Sequence, residues 1–196
     1  MRQRWGKLGV IALSSVLLMA ACVTRSPTAS NQVTTPARLQ LTLLPPNDWG
    51  QHWEQEQLLS IDAQGQKHQL QALLDVPDQQ IRLVLLKFGQ RVITIEHSAT
   101  QTTIEKNSHV PEFLQAQQVL QDMQVVYADL GRLKIVLPAA CTVTDTLNQR
   151  EITCDQQLVY RVEYGLGDPQ QPLKNIRLNN VQNQYSIQID VLNGFK

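Results

Sequence analysis

Charge is scarce in this chain and evenly split. Asp, Glu, Lys and Arg make up 17% of the 196 residues, and 17 basic residues offset 17 acidic ones. A net field that gathers nucleic acid is therefore excluded. The motifs of common catalytic folds are missing too. There is no G-x-S-x-G, no P-loop and no H-E-x-x-H, and Gly165-Leu166-Gly167 lacks the strand–helix setting of a dinucleotide fingerprint. His52, His68, His97 and His109 are scattered, so they read as surface residues and not as a metal cluster. Arg161 and Glu163 share a strand face, the pattern of a solvated pair rather than an acid–base couple. No cofactor and no enzymatic step is expected. Cysteine is rare, with three in all, and the one apolar run with no strand or helix period stands at the amino terminus.

That run carries the first positive signal. Arg2, Arg4 and Lys7 precede an apolar stretch that extends from Leu8 to Met19. A basic start, a short apolar middle and a small-residue end predict a secretory signal peptide over residues 1–21. The run is too short to favour a membrane span, which needs roughly 20 apolar residues. Leu18-Met19-Ala20-Ala21-Cys22 resembles the bacterial lipobox, which implies a thioether-linked diacylglycerol on Cys22. Each buried acyl methylene contributes roughly 0.8 kcal/mol, so several chains on one cysteine anchor stably. Val23, not Asp, follows the cysteine; in the resemblance to Gram-negative lipoproteins this implies the periplasmic face of the outer membrane. Residues 22–37 then read as the lipidated cysteine and a Ser, Thr and Pro-rich tether. Residues 38–196 remain for one domain with a substantial core.

Within that domain the dominant period is two. "RLQLTL" puts Leu39, Leu41 and Leu43 on one face, "LLSID" presents Leu59 and Ile61, and "HQLQALLDV" aligns Leu70, Ala72, Leu74 and Val76. "IRLVLLKF" sets Ile81, Leu83 and Leu85 against Val84, Leu86 and Phe88; after a Gly89-Gln90 turn, "RVITIEH" carries Ile93 and Ile95. Short strands with turns between them predict an antiparallel barrel or sandwich. The period then lengthens. Over Glu112–Leu130, Ala116, Val119, Leu120, Met123, Tyr127 and Leu130 recur at helical intervals, and this amphipathic helix is the available lid for an apolar sheet face. Strands resume around Cys141 and Cys154, which flank a predicted hairpin. In an oxidising periplasm the pair is expected to form a structural disulfide, since no C-x-x-C marks redox work. Trp49 and Trp53, beside Pro45-Pro46, either cap the core or line the mouth of a cavity.

The pieces "QLLSIDAQGQKHQLQALLDV", "LVLLKFGQRVITIEH", "VLQDMQVVY" and "NQYSIQIDVL" resemble, in their order, a family of bacterial lipoproteins. That family is similar in fold to the lipoprotein carriers LolA and LolB, and its genes often stand beside aryl-polyene or fatty-acid-type biosynthesis genes. The resemblance implies a mainly β fold with a helical lid, an incomplete antiparallel β-barrel. Its expected function is to bind an acyl chain or lipidated cargo in an apolar cavity, without covalent chemistry. The membrane is met through the amino-terminal lipid, and no protein partner is indicated. Candidate cavity residues are Leu41, Leu43, Leu59, Ile61, Leu70, Leu74, Leu83, Leu85, Ile93 and Ile95. Candidate lid residues are Val119, Leu120 and Met123. In the resemblance to LolB a protruding apolar loop residue assists transfer, and here the loop "DVPDQQ" offers only Val76. The rival expectation is an assembly lipoprotein whose packed interior, plugged by Phe88, Met123 and Tyr127, leaves its surface to bind a protein.

Overall fold

Two antiparallel meanders meet along one seam. The structure, a computed structural model, describes residues 39–49, 53–108, 110, 114–165 and 174–195. The signal peptide, Cys22 and the tether lie outside the described residues. Strands β1 (Trp53–Ala63), β2 (Gln66–Val76), β3 (Gln80–Lys87), β4 (Gln90–Ser98) and β5 (Thr102–Lys106) step outward in chain order. Helices α1 (Ala116–Tyr127) and α2 (Leu130–Val136) follow. Strands β6 (Cys141–Asp145), β7 (Gln149–Cys154), β8 (Gln157–Tyr164), β9 (Asn175–Asn180) and β10 (Tyr185–Phe195) then step back inward. β10 pairs with β1, and the order is β5-β4-β3-β2-β1-β10-β9-β8-β7-β6. The sheet stays open, with β5 and β6 at its edges. This is the incomplete antiparallel barrel that the family resemblance implies, where the alternating pattern alone allows a barrel or a sandwich.

Register explains why one face is apolar. Leu59 stands opposite both Leu70 and Ile189, Leu83 opposite Leu74 and Ile95, Leu85 opposite Ile93, and Ile187 opposite Ile61 and Leu178. Side chains alternate across a strand, so these pairs stack their aliphatic groups in one layer. α1 lies over that layer. Leu120 joins the core built on β2–β4, whereas Val125 and Val126 join the core built on β7–β10. Burying such a layer at roughly 25 cal/mol per Å² is what holds helix to sheet.

Several expectations shift. Residues 39–45 join no strand, and the predicted alternation holds for Leu39 and Leu41 but breaks at Leu43, where Leu44 is the buried residue. Their backbone groups bond instead to amide side chains of α1. Gln121 Nε2 donates to Leu41 O (3.2 Å) and Gln124 Nε2 to Thr42 O (3.0 Å), while Leu44 N donates to Gln124 Oε1 (2.7 Å). The segment is a strap across the helix. The β3–β4 turn is Phe88-Gly89 and not Gly89-Gln90. Both residues have positive φ, +52° and +74°, the left-handed backbone that two-residue hairpins need. Phe88 thereby leaves the strand and is 96% exposed, so it plugs nothing. The predicted helix stops at Tyr127, short of Leu130, because Ala128 is extended, and Asp129 caps a second, separate helix, α2. Asp129 Oδ1 accepts from Gly131 N and Arg132 N, the usual service of an N-cap carboxylate. Residues 111–113, where the predicted helix begins, lie outside the described residues.

Candidate functional site

Leu59, Ile61, Leu70, Leu83 and Leu85 reach up from β1–β3 into an apolar cavity of about 50 Å³, and Val119 and Met123 of α1 close it from above. Ala72, Leu178, Ile187 and Ile189 complete much of the wall. The other candidates stand elsewhere. Leu74, Ile93 and Ile95 share the concave layer but are packed core. Leu120 is 0% exposed and likewise core. Leu41, on the strap, packs into the core of the β7–β10 half, and Leu43 borders an outer groove beside His97. Neither reaches the cavity, because the strap runs over the helix and not in the sheet. Val76 is buried, 2% exposed, whereas Phe88 at the β3–β4 tip and Leu147 at the β6–β7 tip are the apolar side chains displayed at hairpin ends.

Next to the apolar cavity lies a cleft of about 340 Å³ whose wall mixes polar side chains with an apolar lining, and which is the more polar of the two spaces. Ile61, Leu114, Val119, Asp122 and Ile187 line both spaces and form the wall between them. The cleft opens where the β1–β2 and β9–β10 turns meet, at Gln64 and Asn183. Its floor holds Asp122, from the middle of α1. Oδ1 accepts from Gln118 Nε2 (2.9 Å), Tyr160 OH (3.0 Å) and Asn180 Nδ2 (3.5 Å); Oδ2 accepts from Tyr185 OH. The residue is 5% exposed. Burial pushes its pKa up to about 6, against the four hydrogen bonds that pull it down. Burial also pushes Tyr160 and Tyr185 upward, and the Asp122 charge adds to that, so both phenols stay protonated and donate.

The same helix is tied at its other end. Its last carbonyls have no basic residue of their own helix to meet them. Arg150 of β7 supplies the charge, donating from Nη1 to Val125 O and Ala128 O, both at 2.9 Å. Arg150 Nη2 also holds Asp145 Oδ2 at 2.8 Å. Tyr164 OH donates to Val126 O (2.8 Å), and burial pushes that phenol up to about 12. On the β1 side, Gln57 Nε2 donates to Tyr127 Oη (3.0 Å). Most of these ties run to β7–β10, while Leu70, Leu83 and Leu85 meet Val119 and Met123 across the cavity.

Cys141 and Cys154 stand opposite each other in the β6–β7 register and are joined by a disulfide. Arg161 pairs with Glu151 across β7–β8 at 2.7 Å, and not with Glu163. Trp49 is 1% exposed, its Nε1 donating to Leu44 O (3.2 Å); it fastens the strap and lines no mouth. The Trp53 side chain, His52 and His109 lie outside the described residues. His97 is buried and not at the surface, its ring bridging Leu44 O and Thr102 Oγ1, each at 2.9 Å.

Sequence reasoning does not single out Asp122, Gln118, Tyr160, Asn180 or Tyr185. One signal is available: Asp122 is the sole charged residue of Ala116–Tyr127. Its partners Tyr160 and Tyr185 stand 38 and 63 residues further along the chain, beyond any local pattern.

Several solved structures resemble the fold weakly. A LolA superfamily protein from Nitrosomonas europaea aligns at 7% identity and TM-score 0.42, covering 76% of this chain and 86% of its own. A DUF1329 family protein from Desulfovibrio piger aligns at 10% and 0.34, covering 74% and 85%. A domain assigned to outer-membrane lipoprotein sorting in Vibrio parahaemolyticus aligns at 6% and 0.35, covering 75% and 85%. No curated protein matches the chain. A family model matches residues 54–193, from the first strand to the last, and by it the chain belongs to DUF3261, a family described as protein of unknown function.

Proposed function

We propose that this domain is a lipid-anchored carrier, which holds an acyl chain or lipidated cargo between the concave sheet and α1 without covalent chemistry. One observation carries the reading: an aliphatic cavity lies beneath the helix and shares a wall with a solvent-open cleft. Ligand sites commonly measure roughly 300–1,000 Å³. The cleft reaches the lower end of that range, but the apolar cavity at about 50 Å³ does not. A chain therefore enters by lifting α1 from β2 and β3, where aliphatic contacts give way to aliphatic ligand at little net cost. The polar ties to β7–β10 act as the hinge side. Cys22 supplies the anchor, and the outer membrane is the proposed site. The biosynthetic gene neighbourhood implied by the resemblance would supply acyl-type cargo.

The small cavity also favours a second reading, an assembly lipoprotein with a packed interior. Mass spectrometry of lipids that co-purify with the protein, expressed without its anchor, separates the two. The carrier reading expects a stoichiometric acyl-bearing molecule. A lipid-free protein that also takes up no apolar dye would leave the scaffold.

A further inference from the structure

We infer that the polar cleft recognises the head of the cargo, and that it selects an uncharged head bearing hydroxyl or amide groups over a phosphate or a carboxylate. The inference rests on the carrier reading of the cavity behind it. Its ground is the chemistry of the cleft wall. Gln64, Gln66, Gln115, Gln118 and Asn183 present amides, His68 and Tyr185 add one ring each, and Asp122 sits at the floor. Among the described residues, no Lys or Arg lines the cleft. A phosphate or carboxylate head would meet no countercharge there, and would face a carboxylate in a site of reduced dielectric. Hydroxyls and amides, by contrast, match a wall of mixed donors and acceptors.

Asp122 also occupies the right place. It lines the polar cleft and the apolar cavity at once, so it marks the boundary between head and tail of an amphiphile. Oδ1 already accepts from Gln118, Tyr160 and Asn180, whereas Oδ2 accepts from Tyr185. Each carboxylate oxygen carries two lone pairs, so the donors on Oδ1 saturate it, while Tyr185 takes one of the two positions on Oδ2. Oδ2 thus has capacity for one more donor, and a ligand hydroxyl or amide N–H is the donor that fits. The surrounding network holds that oxygen still. Asn180 Nδ2 donates to Tyr185 Oη (3.0 Å), Asn183 Nδ2 to Gln118 Oε1 (3.2 Å), and Asn183 N to Asn180 Oδ1 (3.0 Å). The ties of Asp122 run to β8, β9 and β10, the hinge side, so its acceptors keep their places when α1 lifts from β2 and β3, and pre-set acceptors of this kind confer selectivity.

The test displaces an apolar dye from the full-length chain carrying Cys22→Ala, using three oleoyl lipids: monooleoylglycerol, oleate and oleoyl lysophosphatidate. Monooleoylglycerol should bind at least about tenfold tighter than either anion, the worth of one hydrogen bond to a charged group. Asp122→Asn, which keeps the shape and removes the charge, should shrink that preference. Gln66→Lys, at an exposed position of the cleft wall, should raise the affinity for lysophosphatidate. If Asp122→Asn fails to fold, Gln66→Lys still decides. Equal affinity for all three lipids, or an order unchanged in both variants, overturns the inference and leaves the carrier reading standing. Binding of none of the three by the folded parent chain overturns the carrier reading itself.

Discussion

Replacing Asp122 with Asn should change how stability depends on pH, in the direction opposite to ordinary acid denaturation. In the unfolded chain the carboxyl titrates near 3.8, whereas in the folded domain burial raises it to about 6. The folded state therefore holds the proton more tightly. Its contribution to stability is fully present below the unfolded value and is lost as pH rises through the folded one. A tenfold difference in proton affinity is worth about 1.36 kcal/mol, so the two limits differ by about 3 kcal/mol. Asn does not titrate. Wild type should thus gain about 2 kcal/mol relative to Asp122→Asn between about pH 7 and about pH 4, and the remainder as pH falls below the unfolded value. Groups present in both proteins cancel in the difference. Urea unfolding followed by circular dichroism over a pH series measures it. A difference that stays flat would show that the four hydrogen bonds offset burial. A difference of opposite slope would show a carboxylate held ionised in the fold.

Other perturbations separate the parts of the fold. Leu120→Ala should cost about 2–5 kcal/mol in thermal or urea unfolding, because the side chain is packed core and not cavity wall. Arg150→Met should cost about 3 kcal/mol in the same assay, since it strands two helix carbonyls and the Asp145 charge; a neutral result would mean that the helix end finds other partners. Reduction of the Cys141–Cys154 bond, which spans 13 residues, should cost about 3 kcal/mol, and the denatured native protein should expose neither of these thiols to titration. Cys22→Ala should abolish lipid labelling and membrane fractionation; retention in the outer-membrane fraction would refute the anchor.

Much of the sheet is legible in the sequence because its period is strict. Alternation alone groups Leu59, Ile61, Leu70, Leu74, Leu83, Leu85, Ile93 and Ile95, and the register places all of them on the concave face. Alternation cannot show which of them stop short of a cavity, since that depends on where the helix lies. It also misassigns the strap. Leu39 and Leu41 alternate as strand residues do, but the carbonyls of Leu41 and Thr42 are met by glutamine side chains some 80 residues away. β5 is invisible for the opposite reason. Thr102–Lys106 is exposed at every position, so an edge strand leaves no apolar signature. Phe88 is drawn into β3 by its apolarity, whereas the turn chemistry of the following glycine decides its place. The polar cluster around Asp122 is assembled from β8, β9, β10 and α1, and no local rule brings those together.

The seam between β1 and β10 has a consequence for how the chain reaches this fold. Within each meander, every strand pairs with its neighbour in sequence across a short turn or loop, so those ladders close small loops. β1 and β10 are the exception, pairing Leu59 with Ile189 from the two ends of the described domain. Loop-closure entropy rises with the logarithm of the intervening length, and non-local pairings slow folding. The seam is therefore where the topological cost of this sheet is concentrated. Both apolar cores include Leu59 and Ile187 at their margins, so the burial that offsets the cost arrives when the seam zips.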